Sequence, residues 1–139
     1  MAELICVGCG PGDPELLTVK AVNAIRSADT IMCPASNEDR PSIALSIISP
    51  IIDKTRNQEI IRLIFPMTKD REVLEATWKK NAKIMAEKVL SGKNVVYITI
   101  GDPYLYSTWI YMHREIKASH PEMKISVVPG IVSIFSFAS

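Results

Sequence analysis

Apolar residues along the chain fall into short Ile- and Val-rich runs that alternate with longer segments of helical periodicity. The short runs predict five strands, at residues 4–9, 30–33, 59–65, 94–100 and 125–128. The longer segments predict helices at about 14–28, 41–48, 71–91 and 104–119, and a further helix from 131. Because the strands are too apolar to leave one face in water, we expect an α/β fold: an open, mostly parallel sheet of about five strands, flanked by helices.

Capping residues and prolines predict where several elements begin and end. Asp13 precedes Pro14 and Glu15, which is a typical start for the first helix. Pro34 is expected to end the second strand, because proline lacks the donor that a sheet requires. Asp70 and Gly92 stand where the N-cap and the C-terminal cap of the long third helix belong.

Composition limits the classes of function. The chain has 139 residues, of which 47% are hydrophobic and 22% charged, enough apolar residues for a packed domain. A net charge of +1 argues against a dedicated nucleic-acid binder. The longest apolar stretch, residues 43–52, is too short to cross a membrane. An odd count of three cysteines and an N-terminus without a signal-peptide pattern favour the cytoplasm.

Three segments of unusual composition follow predicted strands. They are Gly8–Pro14 after the first strand, Gly101–Pro103 after the fourth and Val128–Gly130 after the fifth. Ligands of open α/β sheets bind outside the carboxyl ends of the strands. The sequence therefore places a candidate binding site in these three segments.

The same segments argue against a phosphate ligand. Pro11 and Pro14 lack backbone N–H groups, and Asp13 and Asp102 would repel an anion. The dinucleotide pattern GxGxxG fails, because its last glycine would fall on Asp13. A ligand with positive charge fits this composition better.

The three motifs together resemble a known family. The first loop reads GxGPGDPELLTxKA, and Gly101-Asp102-Pro103 and Val128-Pro129-Gly130 follow at matching distances. This arrangement is similar to the tetrapyrrole (corrin/porphyrin) methylases, which use S-adenosylmethionine as methyl donor. The resemblance implies a longer homodimeric protein of two α/β domains with the cofactor between them. Residues 1–128 would be its N-terminal domain and residues 129–139 the start of the second.

One segment resembles a particular branch of that family. Tyr106-Ser107-Thr108 is similar to the enzymes that methylate precorrin-2 or cobalt-precorrin-2 at C20 in cobalamin synthesis. The alternatives are another tetrapyrrole methylase, diphthine synthase, or a non-catalytic α/β nucleotide-binding module complete at 139 residues. The substrate would be a tetrapyrrole small molecule.

The resemblance implies roles for individual residues. The cofactor positions it transfers to this sequence are Pro11, Ile100, Gly101, Asp102, Leu105, Val132 and Ser133. Asp102 would tolerate the positive charge of the sulfonium. Tyr106 is the candidate relay for the proton that leaves C20, and Arg40 the candidate partner for substrate carboxylates.

Other noticeable residues have structural explanations. Cys6 and Cys9 form a C-x-x-C without a second pair, so we expect buried thiols and no metal site. His113 and His120 have no partners at ligand spacing and are expected on the solvated surface. Trp78 lies on the apolar stripe of the long helix and is expected in the core.

Overall fold

The chain forms one sheet of five parallel strands in the order β3-β2-β4-β1-β5. The structure is a computed structural model that describes residues 2–9, 14–37, 39, 42–52, 55–99 and 108–130. The strands are β1 (Leu4–Gly8), β2 (Thr30–Ala35), β3 (Glu59–Ile64), β4 (Val95–Thr99) and β5 (Ile125–Val128). The predicted fold class and all five predicted strands are confirmed.

Helices connect consecutive strands. They are α1 (Val19–Ser27), α2 (Ile43–Ile48), α3 (Arg71–Leu90) and α4 (Trp109–Ser119), with a 3₁₀ turn at Pro14–Leu16. None of the helices described is both long enough and apolar enough to cross a membrane.

The sheet has a separate apolar core on each face. Successive β4 residues alternate between the two, so that Val95 and Tyr97 face one core and Val96 and Ile98 the other. The first core is covered by α3 and α4 and the second by α1 and α2. This three-layer arrangement explains why the strands lack a polar face.

The predicted start of the first helix is wrong. Pro14–Leu16 forms a separate 3₁₀ turn, and α1 begins only at Val19. Thr18 is the N-cap: its backbone is extended, and its hydroxyl accepts a hydrogen bond from the Ala21 amide at 3.1 Å. A second good capping residue within the apolar pattern therefore sets the boundary. Asp13 lies outside the described residues.

The prediction that Pro34 ends the second strand is also wrong, since β2 continues to Ala35. The Ala35 carbonyl accepts a hydrogen bond from the Phe65 amide, so Ala35 points its polar groups toward β3. Because the polar groups of successive strand residues point to opposite sides, the Pro34 nitrogen points toward β4. The pairing of β2 with β4 ends earlier, at Met32. The missing donor thus removes no ladder bond.

The caps of α3 are confirmed. A carboxylate oxygen of Asp70 accepts hydrogen bonds from the backbone amides of Glu72 and Val73. Gly92 has φ 94°, in the left-handed region, and its amide donates to the Val89 carbonyl at 2.9 Å. The helix therefore ends at a position that favours glycine.

Candidate functional site

The three motif segments begin next to one another at one edge of the sheet. β1 lies between β4 and β5, with Gly8 paired to Thr99 and Val7 paired to Val128. The Cys9 amide donates to the Thr99 carbonyl at 2.7 Å, which extends the pairing to the end of both strands. Segments that lie about 90 and 120 residues apart along the chain thus leave the sheet within roughly 10 Å, two strand spacings.

The connections that follow β1 and β4 diverge. The helix after β1 packs on one face of the sheet and the helix after β4 packs on the other. Neighbouring parallel strands whose connections go to opposite faces leave a crevice between their carboxyl ends. This topology predicts a crevice between the carboxyl end of β1 and the carboxyl end of β4.

The residues predicted to bind ligands lie outside the described part of the chain. These predictions concern Pro11, Arg40, Ile100, Gly101, Asp102, Leu105, Tyr106, Val132 and Ser133. The structure describes the strand ends that precede these residues in the sequence. The individual roles stay predictions.

Cys9 is a described residue of the first motif segment and follows β1 directly. It is fully buried, and this burial raises the pKa of its thiol to about 12, although a hydrogen bond from the Thr99 backbone acts in the opposite direction. Cys6 and Cys33 are buried as well, so the expectation of buried thiols for the C-x-x-C is confirmed. At neutral pH Cys9 is an uncharged thiol and a poor nucleophile.

A buried tyrosine links β4 to the start of α4. The Tyr97 hydroxyl lies 3.4 Å from the Thr108 hydroxyl, and the Tyr97 ring is fully buried between Phe65 and Trp109. Thr108 is the N-cap of α4, yet its side chain makes no capping bond. Burial raises the pKa of Tyr97, so its hydroxyl stays protonated. The contact joins β4 to the residue that precedes α4, and no pattern in the sequence indicated it.

The ends of β2 and β3 continue the same edge on the other side of β4. The Asn37 side chain accepts a hydrogen bond from the Asp39 amide at 2.9 Å, which forms a tight turn after β2. After β3, residues Pro66–Lys69 line an open cleft of about 420 Å³. In the sequence, the predicted end of a strand is the feature that marks this cleft.

A second groove lies on the flank of the molecule, between α3 and α4. Trp78 stacks on Tyr111 with ring centroids 4.2 Å apart, and the Arg71 guanidinium lies 5.5 Å from the Trp78 ring centroid. Trp78 is buried, so its predicted place in the core is confirmed. His113 differs from expectation: it is half-buried and stacks on Trp109 at 5.3 Å. Within the described ranges, His, Cys, Asp and Glu side chains form no group of three that could hold a metal ion.

The parallel sheet with helices on both faces defines a three-layer α/β domain, and comparison with known proteins identifies its family. Residues 3–139 match the family Tetrapyrrole (Corrin/Porphyrin) Methylases. The chain belongs to this family, which confirms the resemblance noted in its sequence.

Individual relatives agree with this assignment. The chain is 43% identical over 134 residues to "Probable cobalt-precorrin-2 C(20)-methyltransferase" of Methanocaldococcus jannaschii, covering 96% of this chain and 54% of that protein. It is 35% identical over 137 residues to the cobalt-precorrin-2 C(20)-methyltransferase of Salmonella typhimurium, covering 99% of this chain and 56% of that protein. The chain therefore spans about half the length of these curated relatives.

A solved structure shares the fold. The X-ray structure of a cobalt precorrin-4 methyltransferase, CbiF, superimposes with a TM-score of 0.66 at 22% identity. The superposition covers 98% of this chain and 48% of that one. The shared part is the five-stranded domain described above.

Proposed function

We propose that the complete protein uses S-adenosylmethionine to methylate C20 of precorrin-2 or cobalt-precorrin-2 in cobalamin biosynthesis. Two relatives that match nearly the whole chain carry the name of this reaction. The structural observation that supports the proposal most is that β1 and β4 are neighbours whose following helices pack on opposite faces of the sheet, an arrangement that leaves a crevice at their carboxyl ends. The crevice lies where the glycine-rich segment and the Gly101–Pro103 segment begin.

The chemistry required is mainly positioning. Methyl transfer from a sulfonium is an in-line displacement, and holding the two reactants in line can lower the barrier by about 7–11 kcal/mol. Asp102 would face the positive charge of the cofactor, together with backbone groups of Gly101. Tyr106 would relay the proton that leaves C20, and Arg40 would pair with a substrate carboxylate.

The environment of Cys9 suits a site that holds an alkylating cofactor. A thiolate beside an activated methyl group would compete with the substrate as nucleophile. Because Cys9 is buried and its pKa is raised to about 12, the thiol is neutral at physiological pH. The site can therefore contain a cysteine at its edge without losing methyl groups to it.

We further propose that this chain provides one wall of the site. Residues 1–128 would form the N-terminal domain and residues 129–139 the start of a second domain, with the protein acting as a homodimer in the cytoplasm. The share of the relatives that the chain covers supports this division. A half-site should bind S-adenosylmethionine at least about 100-fold more weakly than the complete gene product, because contacts from the other wall are missing. Calorimetric titration of both proteins tests this, and equal affinities would refute it.

The activity is tested on the complete gene product with S-adenosylmethionine and precorrin-2, with and without cobalt. We expect transfer of one methyl group to C20, identified by mass spectrometry and by NMR of a ¹³C-labelled methyl. Methylation at another ring position would favour another tetrapyrrole methylase. Binding of the cofactor without any transfer would favour a non-catalytic module.

The role of Asp102 is tested by Asp102→Ala in the same protein. Loss of one charge-assisted contact should weaken cofactor binding by roughly tenfold, while the melting temperature of the free protein changes little. Glu122→Ala removes an exposed carboxylate near the opposite edge of the sheet and is the control. A large loss of stability with unchanged affinity would show that Asp102 only forms a turn.

A further inference from the structure

The segment after β3 exposes an apolar side chain beside a cationic one. Pro66, Met67, Thr68 and Lys69 line the open cleft of about 420 Å³. Met67 is 89% exposed, more than any other large hydrophobic side chain in the described part of the chain. A methionine exposed to this extent loses its unfavourable contact with water when an apolar ligand covers it.

Hydrogen bonds on both sides fix this segment. Before it, the Phe65 amide donates to the Ala35 carbonyl at 2.8 Å, and the buried Asn81 side chain donates to the Ile64 carbonyl at 3.0 Å. After it, the Thr68 hydroxyl accepts a hydrogen bond from the Asp70 amide at 3.1 Å. The backbone that carries Met67 is therefore held at each end. Ordering this segment when a ligand binds should cost little conformational entropy.

The segment lies within reach of a large ligand held at the crevice. β2 alone separates β3 from β4, so the end of β3 is about 10 Å, two strand spacings, from the end of β4. The helices after β2 and β4 also pack on opposite faces, so the crevice at β4 continues toward β2. The flat ring system of a tetrapyrrole is wide enough to span this distance.

One cationic side chain of the segment, Lys69, is available to an anion. Lys69 is exposed and has no ion pair with any described residue. The neighbouring Asp70 carboxylate is engaged by two backbone amides, and Arg71 pairs with Glu75 at 3.0 Å. Asp39 is the described carboxylate in the segment after β2. Among the described residues of this segment, Lys69 is thus a cation available to a carboxylate at the rim of a bound macrocycle.

We propose that Met67 and Lys69 form a substrate subsite, in which Met67 contacts the apolar edge of the tetrapyrrole and Lys69 pairs with one of its peripheral carboxylates. The inference rests on the proposed function, and it adds a binding position for the part of the substrate that extends from β4 toward β3. It assigns to β3 a role in recognising the substrate and none in binding the cofactor.

The test uses the complete gene product and uroporphyrin, a stable tetrapyrrole polycarboxylate, as probe. Met67→Gln keeps the length of the side chain and removes its apolar character, and Met67→Leu restores that character. Lys69→Gln removes the charge. Controls are Leu90→Gln and Lys93→Gln, exposed residues at the opposite end of α3. Fluorescence titration measures uroporphyrin affinity, and calorimetry measures S-adenosylmethionine affinity in the same variants.

We expect Met67→Gln and Lys69→Gln each to weaken uroporphyrin binding by about fivefold, since each loses one partial apolar or ionic contact. Met67→Leu and both controls should bind it as the unchanged protein does, and cofactor affinity should stay within about twofold throughout. Lys69→Gln should also flatten the salt dependence of uroporphyrin binding.

Three outcomes would overturn the proposal. Unchanged uroporphyrin affinity in both variants would show that the segment does not contact the tetrapyrrole. A marked loss of melting temperature in Met67→Gln would show that another part of the protein covers Met67, and a change in sedimentation would show that a second copy does. If the unchanged protein bound neither ligand, the proposed function itself would fail, and the result is distinguishable from the other three.

Discussion

Removing the Tyr97 hydroxyl tests whether the contact between Tyr97 on β4 and Thr108 at the start of α4 supports the proposed cofactor site. Tyr97→Phe keeps the buried ring between its aromatic neighbours and deletes only the oxygen that lies 3.4 Å from the Thr108 hydroxyl. Thr108→Val deletes the other partner at nearly constant volume. Together with the double variant these changes form a double-mutant cycle.

The geometry of the contact limits how much unfolding free energy the variants can lose. A separation of 3.4 Å exceeds the usual O–H···O distance of about 2.7–2.8 Å, so the bond belongs at the weak end of the range. Thr108 is only half-buried, so water can replace the lost partner there. We expect each single variant to lose about 0.5–1 kcal/mol of unfolding free energy and the double variant hardly more than a single one, which corresponds to a coupling energy of about 0.5–1 kcal/mol.

The effect on ligand binding separates a positioning role from a purely structural one. Residues 100–107 lie between Tyr97 and Thr108 along the chain and include four of the proposed cofactor positions, Ile100, Gly101, Asp102 and Leu105. Tyr97→Phe and Thr108→Val should therefore weaken S-adenosylmethionine binding by about threefold at a temperature where both are fully folded. Thr108→Ser retains the hydroxyl and should restore affinity, and Tyr111→Phe on exposed α4 surface is the control. Additive stability losses with unchanged affinity would refute the reasoning.

Three further predictions follow from local features of the structure. Iodoacetamide at pH 8 should leave the buried Cys6, Cys9 and Cys33 unmodified in the folded protein and should modify all three in urea, as measured by mass spectrometry. Modification of Cys9 in the folded protein would contradict its burial and its raised pKa. Burial and a nearby lysine lower the pKa of His113 in the folded protein. As the pH drops below about 6.5, the imidazole is therefore protonated in the unfolded chain before it is protonated in the folded protein, and the stability of the fold decreases. The urea midpoints at pH 7.5 and pH 5.5 should differ less in His113→Gln than in the unchanged protein. Gly92→Ala should cost about 1 kcal/mol in urea denaturation because φ is 94°, although no atom lies near the added methyl; an unchanged midpoint would mean that the turn relaxes.

The elements of the fold could be predicted from the sequence where one local signal dominates. The third helix has a single good cap at each end, so both of its boundaries were predicted to within about a residue. The first helix offers two caps, Asp13 and Thr18, and tertiary packing of the apolar face decides between them. Pro34 was misjudged because its effect depends on which neighbour its nitrogen faces, and pairing partners are not visible in a single strand.

The candidate site could be predicted only in part. Its motif segments are recognisable because glycine, proline and aspartate interrupt apolar runs. The supporting contacts of Tyr97 with Thr108 and of Asn81 with Ile64 join residues whose proximity depends on the folded backbone. Asn81 did leave a signal, because a polar residue on the apolar stripe between Trp78 and Met85 requires a buried partner.

The position of the crevice follows from the strand order, independently of the family. Because crossover connections are right-handed, two successive steps in one direction along the sheet put both helices on the same face. The steps from β1 to β2 and to β3 run one way, and those from β3 to β4 and to β5 run back, so α1 and α2 cover one face and α3 and α4 the other. The helix that follows β4 therefore lies on the face opposite to the helices that follow its two neighbours, β1 and β2. A cofactor at the first separation and a wide substrate reaching across the second would meet over the end of β4, where the Gly101–Pro103 segment begins.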